Sequence, residues 1–223
     1  MVYARICFLV IFIILCSNST LFAERGAKVI APNLILEYFN QKSSLNNENS
    51  ESYDVGGQLF MSSTCTTPGV SLGMRLPRQS DGEYVVAFGF AFDVAQKEQI
   101  EPSDLESNKV GTFSYQFDGS KIIVEQWPYI GSTTNEGNMF TGVIMPVYPL
   151  FGPGQYDLYV EQSRRIIGRL KRSQELLVHI ELESGQKGTC VFDLAALNAG
   201  MNELNGIIVE LKESRDFEKE GAK

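Results

Sequence analysis

Hydrophobic and polar residues alternate with a period of two along much of this 223-residue chain. The clearest case runs from Glu175 to Glu183, where every second residue is apolar: Leu176, Val178, Ile180 and Leu182. This spacing is typical of an antiparallel strand with one buried face and one solvated face. Thr112 to Phe117 and Lys121 to Trp127 alternate in the same way and flank Asp118-Gly119, which favours a tight hairpin turn.

The alternation also predicts strands in two other segments of the second half of the chain. One runs from Tyr156 to Glu161, after the turn formed by Gly152-Pro153-Gly154, and the other runs from Gly206 to Leu211. Only one short helical turn is expected, between Ala195 and Met201, because no longer segment shows a period of 3.6 residues.

About ten short strands separated by turn signals predict an all-β fold. We expect an antiparallel β-sandwich, immunoglobulin-like or jelly-roll, and a β-barrel is the alternative. In this interpretation residues 24–212 form a single domain with mobile polar loops near residues 41–53 and 96–108. Residues 213–223 mix charges and are predicted to form a charged tail.

The beginning of the chain has the organisation of an export signal. Arg5 precedes an apolar run from Ile6 to Cys16, and Ala23 stands before a charged segment. We predict cleavage after Ala23, so that residues 1–23 are a signal peptide and the protein is periplasmic, at the cell surface or extracellular. An uncleaved anchor is one alternative, and membrane association is expected only in that form. Lipidation of Cys16 is another, although Leu15 is larger than the residue that normally precedes a lipidated cysteine.

The chain is acidic, with a formal net charge of −8. Loss of residues 1–23 removes one cation, Arg5, and no anion, which makes the charge −9. Nucleic-acid binding depends on Lys and Arg side chains that neutralise phosphates, and the alternating pattern predicts no basic stripe. Nucleic acid is therefore not an expected partner.

Two cysteines, Cys65 and Cys190, remain once the predicted signal is removed. An even pair in an oxidising compartment predicts a disulfide, and two separately buried thiols are the alternative. Loop entropy predicts a stabilisation of about 4 to 5 kcal/mol for a ring of more than about a hundred residues. Such a bridge would tie the two halves of the chain into one domain.

Candidate catalytic chemistry is sparse. His179 is the single histidine, which excludes a multi-histidine zinc site. Alternation places His179 on the solvated face of its strand together with Glu181 and Glu183, where acidic residues are common. A carboxylate pair there is compatible with a glycosidase, but we predict no catalytic residue, no metal site and no cofactor.

The best candidate binding residues are aromatic: Trp127, Tyr129, Tyr148 and Phe151. Flat rings stack on sugars and anchor protein interfaces because they offer a large area with few rotatable bonds. In the alternative interpretation, Trp127 closes the hydrophobic core. Strand addition along the segment from Phe140 to Leu150, which contains Pro146 and Pro149, is a further expected mode of binding.

These observations predict an exported, non-catalytic β-sandwich that binds a protein or a cell-surface component. A carbohydrate-binding domain of the same architecture is the main alternative, so the partner could be a glycan. A jelly-roll glycoside hydrolase or lyase is a third hypothesis, and it requires a concave sheet face lined by carboxylates.

Overall fold

The computed structural model describes residues 23–43, 52–93, 109–133, 139–147 and 154–221. Within these ranges the chain forms eleven strands: β1 Ala23–Ala31, β2 Leu34–Ser43, β3 Ser52–Ser62, β4 Thr64–Cys65, β5 Val70–Arg78, β6 Ala87–Asp93, β7 Lys109–Phe117, β8 Ile123–Thr133, β9 Met139–Ile144, β10 Glu175–Glu181 and β11 Lys187–Asp193. Two helices accompany them, α1 Gln155–Leu170 between β9 and β10, and α2 Leu197–Gly221 after β11.

The strands form one antiparallel sheet in the order β1-β2-β3-β5-β6-β9-β8-β7-β10-β11-β4. Ser63, between β3 and β4, donates its backbone N–H to the carbonyl of Leu72 in β5 at 3.2 Å. The β4 end of the sheet therefore curls back toward β5, although the hydrogen-bonded order of the described strands stays open. The predicted class, all-β and antiparallel with a sandwich-like arrangement, is confirmed.

The predicted hairpin and disulfide are both present. β7 and β8 pair across the turn at Asp118-Gly119, whose φ angles of 47° and 68° are the left-handed values that a tight hairpin turn needs. Cys65 in β4 is bonded to Cys190 in β11, directly opposite it in the ladder. This bond joins residues 125 positions apart and fixes the curled end of the sheet.

The core lies on the concave side of the curl and is strongly aromatic: Phe88, Phe90, Phe92, Phe113, Tyr115, Phe117, Trp127, Tyr129, Phe140 and Phe192 are all buried. At the other end, α2 covers β2 and β3. A Cβ atom on Gly57 of β3 would lie 2.5 Å from Leu204 of α2, so only glycine allows this approach.

The prediction of a strand from Tyr156 to Glu161 was wrong, because these residues belong to α1. The buried side chains of α1 recur every three or four residues: Tyr159, Ser163, Ile166, Ile167 and Leu170. Six alternating residues are too short a segment to separate this helical period from the period of a strand. The apolar side of α1 packs on the aromatic core.

The predicted strand from Gly206 to Leu211 was also wrong, because α2 includes it. Ile208 is buried whereas Val209 is 49% exposed, which is the reverse of the expected alternation. The helix continues through the predicted charged tail as far as Gly221. Of the two predicted loops, residues 44–51 and 96–108 lie outside the described residues, and residues 41–43 and 52–53 extend β2 and β3.

Candidate functional site

Trp127 and Tyr129 are each only 2% exposed. The indole of Trp127 stacks on Phe113, with ring centroids 3.9 Å apart, and its Nε1–H donates to Oε2 of Glu125 at 2.9 Å. The ring of Tyr129 meets Phe90 edge to face. Their burial is what the core interpretation of Trp127 requires. Tyr148 and Phe151 lie outside the described residues.

His179 and Glu181 of β10 each contact a residue of β11. Nδ1 of His179 lies 2.9 Å from Oγ1 of Thr189, across the β10–β11 ladder. Lys187 contacts Glu181 at 2.6 Å, and this hydrogen bond holds the pKa of Glu181 below its ordinary value. No group of three His, Cys, Asp or Glu side chains converges within the described ranges in a way that could hold a metal ion.

The most distinctive feature of the sheet is a gap that begins where β9 ends. β9 lies between β6 and β8 and pairs with both up to Ile144, which is opposite Phe88 and Tyr129. Pro146 follows two residues later, and proline has no N–H with which to continue a ladder. Beyond this point no described strand lies between the residues before β6 and the first half of β8. The expected strand addition along Phe140 to Ile144 would need a free edge, and those residues have a neighbour on each side.

On the β6 side, α1 occupies the gap. The N–H of Val86 donates to Oγ of Ser163 at 3.2 Å, and the carbonyl of Val86 accepts from the hydroxyl of Tyr159 at 3.0 Å. These are the two backbone groups that would otherwise face the continuation of β9. Ser163 is completely buried, and burial raises the pKa of Tyr159, which keeps its hydroxyl protonated as a donor. Two side chains of a helix thus replace the missing strand.

On the β8 side, no described residue fills the gap. The carbonyl of Pro128 accepts from the N–H of Met145, which shows which edge of β8 faces β9. Successive residues of a strand direct their backbone groups to opposite edges, so Gln126, Val124 and Ile122 also face the gap. No hydrogen bond joins these groups to any residue in the described part of the chain. We call this backbone of Ile122, Val124 and Gln126 the open edge.

Large apolar side chains are exposed along the open edge. Ile122 is 56% exposed and Val124 is 63% exposed, whereas the neighbouring Trp127 on the other face of the strand is buried. Native proteins usually protect such an edge by covering it or by placing charges beside it. Here the charges come from α1.

The second half of α1 and the residue pair after it carry five cations within nine residues, Arg164, Arg165, Arg169, Lys171 and Arg172, which we call the basic cluster. Their position near the helix C-terminus also favours them electrostatically. The five cations are visible in the sequence, but a strand predicted from Tyr156 to Glu161 does not place them together on one helix.

The two arginines nearest the sheet have defined contacts. Arg165 reaches Oε1 of Glu125 at 2.6 Å, and Glu125 also accepts from the hydroxyl of Tyr115. Burial, together with the negative charge of Glu125, raises the pKa of Tyr115 to about 12. Arg169 lies 4.6 Å above the ring of Phe117. Among the described residues, Lys171 and Arg172 have no carboxylate partner.

The tip of the β7–β8 hairpin is fixed against the end of the basic cluster. Oδ1 of Asp118 accepts the backbone N–H groups of Gln174 and Glu175 at 2.9 and 2.8 Å. The bonds from Glu175 and Gln174 lower the pKa of Asp118. Lys121 follows this tip and is exposed, so it adds a cation at the beginning of the open edge.

The space between α1 and the sheet, bordered by Phe113, Trp127 and Ile166 among others, is apolar and too small for a water molecule. The open edge offers unpaired backbone groups, exposed valine and isoleucine, and nearby cations. None of the helices in the described ranges has the length and apolar character of a membrane span.

Comparison with protein-family models, with curated protein sequences and with solved structures finds no significant match to this chain.

Proposed function

We propose that this chain is an exported, non-catalytic protein whose β-domain binds a protein partner through the open edge and the basic cluster. The observation that carries the proposal is the asymmetry of the gap, since α1 satisfies the backbone of Val86 on the β6 side, whereas the backbone of the open edge on the β8 side has no partner among the described residues. Unpaired strand edges are recurrent binding sites for other chains, because their main-chain groups supply the hydrogen bonds of a new ladder.

The disulfide between Cys65 and Cys190 and the signal-like sequence at residues 1–23 support export. Disulfides persist in oxidising compartments, and this one closes a large part of the chain. We accordingly assign the protein to the periplasm, the cell surface or the extracellular space.

The carbohydrate-binding alternative has no comparable support. It depended on exposed rings, and both of the candidate rings in the described part of the chain, Trp127 and Tyr129, are buried. The hydrolase alternative required free carboxylates on a concave face, but Glu181 is paired with Lys187.

Site-specific photocrosslinking in the producing cells tests the proposal. A photoreactive phenylalanine analogue is placed at Val124, on the open edge, or at Val29, an equally exposed valine in β1. We expect a discrete protein adduct from position 124 and none of the same mass from position 29. The charge-reversed variant Lys171→Glu/Arg172→Glu should reduce the adduct. Absence of an adduct at 124, or equal adducts at both positions, would contradict the proposal.

A further inference from the structure

We infer that the open edge accepts an extended acidic segment of the partner, which adds to β8 as a new strand. This inference rests on the proposed function and specifies the chemistry of the partner. It combines three features: backbone groups without partners, a two-residue alternation of exposed and buried side chains, and cations on one side only.

The backbone requires an extended chain. Val124 and Gln126 present N–H and C=O groups on one edge at the spacing of a strand, and only another strand offers complementary groups at the same spacing. A helix or a compact loop would leave most of them unpaired. α1 cannot cover them in its present position, since its two buried polar side chains are both bonded to Val86.

The side chains on the two faces of β8 determine which kind of residue is preferred at each position of the added strand. A residue opposite Val124 shares its face, where exposed Ile122 and Val124 favour apolar neighbours. A residue opposite Ile123 or Glu125 lies on the other face, toward α1. The preferred segment therefore has an apolar residue at every second position, and the residues between them face α1.

The α1-facing positions should be acidic. Glu125 on that side of β8 is already paired with Arg165 at 2.6 Å, so the position opposite Glu125 gains nothing from a negative charge, and the attraction comes from the other cations. Lys121, Lys171 and Arg172 lie at the same end of the domain without a carboxylate partner among the described residues. Opposite charges across adjacent strands and within about one Debye length of each other attract. A second copy of this chain is a weaker candidate, because its net charge of −8 repels an identical molecule.

Fluorescence polarisation with labelled seven-residue peptides tests both parts of the inference, using the exported protein purified from cells that express the whole chain. The probe is acetyl-Glu-Val-Glu-Val-Glu-Val-Glu-amide. The first comparison replaces every Glu by Lys. We expect the lysine peptide to bind at least about tenfold more weakly, because the basic cluster then repels it.

Two N-methylated peptides of identical charge provide the decisive comparison. In an added strand the valines share the face of Val124, and their N–H groups point to the open edge, while the N–H groups of the glutamates point away. Methylation of the valine nitrogens should weaken binding by about tenfold or more, and methylation of the glutamate nitrogens should have little effect. Equal loss in both peptides would overturn the strand geometry.

Protein variants supply the matching controls. Val124→Pro removes an N–H from the open edge without removing a bond to β7, so the protein should stay folded and lose binding by about tenfold or more. Lys121→Glu should weaken binding, whereas Lys212→Glu on exposed α2 should not.

The outcomes separate this inference from the proposed function. A crosslinked adduct at position 124 without binding of the Glu-Val peptide would retain the binding surface and overturn the acidic strand as its ligand. Binding of the Glu and Lys peptides with equal affinity would overturn the charge argument. Self-association of the purified protein that is lost in Val124→Pro would identify a second copy as the occupant and overturn the inference.

Discussion

The two sides of the gap beyond β9 have the same origin and opposite outcomes. Pro146 ends the pairing of β9 with both β6 and β8, so backbone groups of Val86 on one side and of Val124 on the other lose a strand neighbour. Val86 is fully buried; its carbonyl accepts a hydrogen bond from Tyr159 of α1, and its N–H donates one to Ser163 of α1. Val124 is 63% exposed and receives none from the described residues.

The difference shows that a fold must provide hydrogen-bond partners for its buried polar groups but not for its exposed ones. A buried backbone group without a partner costs roughly 1 to 3 kcal/mol, so the β6 side is tolerable only with α1 in place. Water satisfies the exposed groups of Val124 at little cost, and a partner strand can replace that water. The closed side of the gap is therefore a requirement of stability, and the open side is available for function.

The largest difference in stability between the two sides should come from a substitution that weakens the packing of α1 on the core. Ile166→Ala removes a buried side chain that packs between α1 and the aromatic core, and we expect it to lower the free energy of unfolding by about 2 to 5 kcal/mol. Val124→Ala, on the open side, should stay within about 0.5 kcal/mol of the parent. Urea denaturation measures both. Equal effects would show that α1 does not stabilise the closed side.

A smaller and more specific effect is expected from Ser163→Ala. The substitution leaves the buried N–H of Val86 without an acceptor and should cost about 1 to 3 kcal/mol. Gln126→Ala is the control on the open side, where the expected change is within about 0.5 kcal/mol. Hydrogen exchange at the amide of Val86 should accelerate in Ser163→Ala alone. Unchanged protection of that amide would mean that the serine is not its essential partner.

The fold was accessible from the sequence wherever one face of a strand is buried and the other is solvated. β7, β8 and β10 show that alternation, and Asp118-Gly119 marks the hairpin that joins β7 to β8. The even pair of cysteines predicted the disulfide in the same way. Each of these signals is local or depends on simple counting, so it can be interpreted without knowledge of the strand order.

The helices and the candidate site were not accessible in this way. In α1, Tyr156, Leu158 and Val160 mimic a strand over six residues, and the helical period becomes clear only when Ser163, Ile166 and Leu170 are included. The open edge is a property of pairing between distant segments, since it exists because β9, which lies beside β8, ends at Ile144, two residues before Pro146. Sequence reasoning directed attention to Trp127 instead, which lies on the opposite, buried face of the same strand.

Glu125→Gln, a substitution between the open edge and α1, should lower the free energy of unfolding by a modest amount. Arg165 and Glu125 are partly exposed, so loss of their ion pair should cost only about 0.2 to 1 kcal/mol. Tyr115 gives a sharper measurement, because burial and then Glu125 raise its pKa to about 12. The substitution should lower that pKa toward the ordinary tyrosine value, as followed by the NMR shift of the Tyr115 ring carbon. An unchanged pKa would leave burial as the whole cause.

The smallest expected effect is the pH dependence of stability at the tip of the β7–β8 hairpin. This tip is hydrogen-bonded to Gln174 and Glu175, which follow the end of α1. Backbone N–H groups of Glu175 and Gln174 lower the pKa of Asp118 in the folded protein. A lowered folded pKa contributes stability that is present above the unfolded value, about 3.9, and is lost as the pH falls through the folded value. Asp118→Asn keeps a hydrogen-bond acceptor and tolerates the left-handed φ of 47°, but it does not titrate.

The wild type should therefore be more stable than Asp118→Asn above about pH 4, and the two should converge below it, as measured by urea unfolding between about pH 3 and 7. Because the tip belongs to the open side, hydrogen exchange at Gln174 and Glu175 should respond to this change, while the amide of Val86 should not. If the two proteins differed in stability by the same amount at every pH, Asp118 would contribute through turn geometry and not through its charge. Coupled loss of protection at Val86 would mean that the two sides of the gap are not independent, and the distinction between a structural side and a binding side would fail.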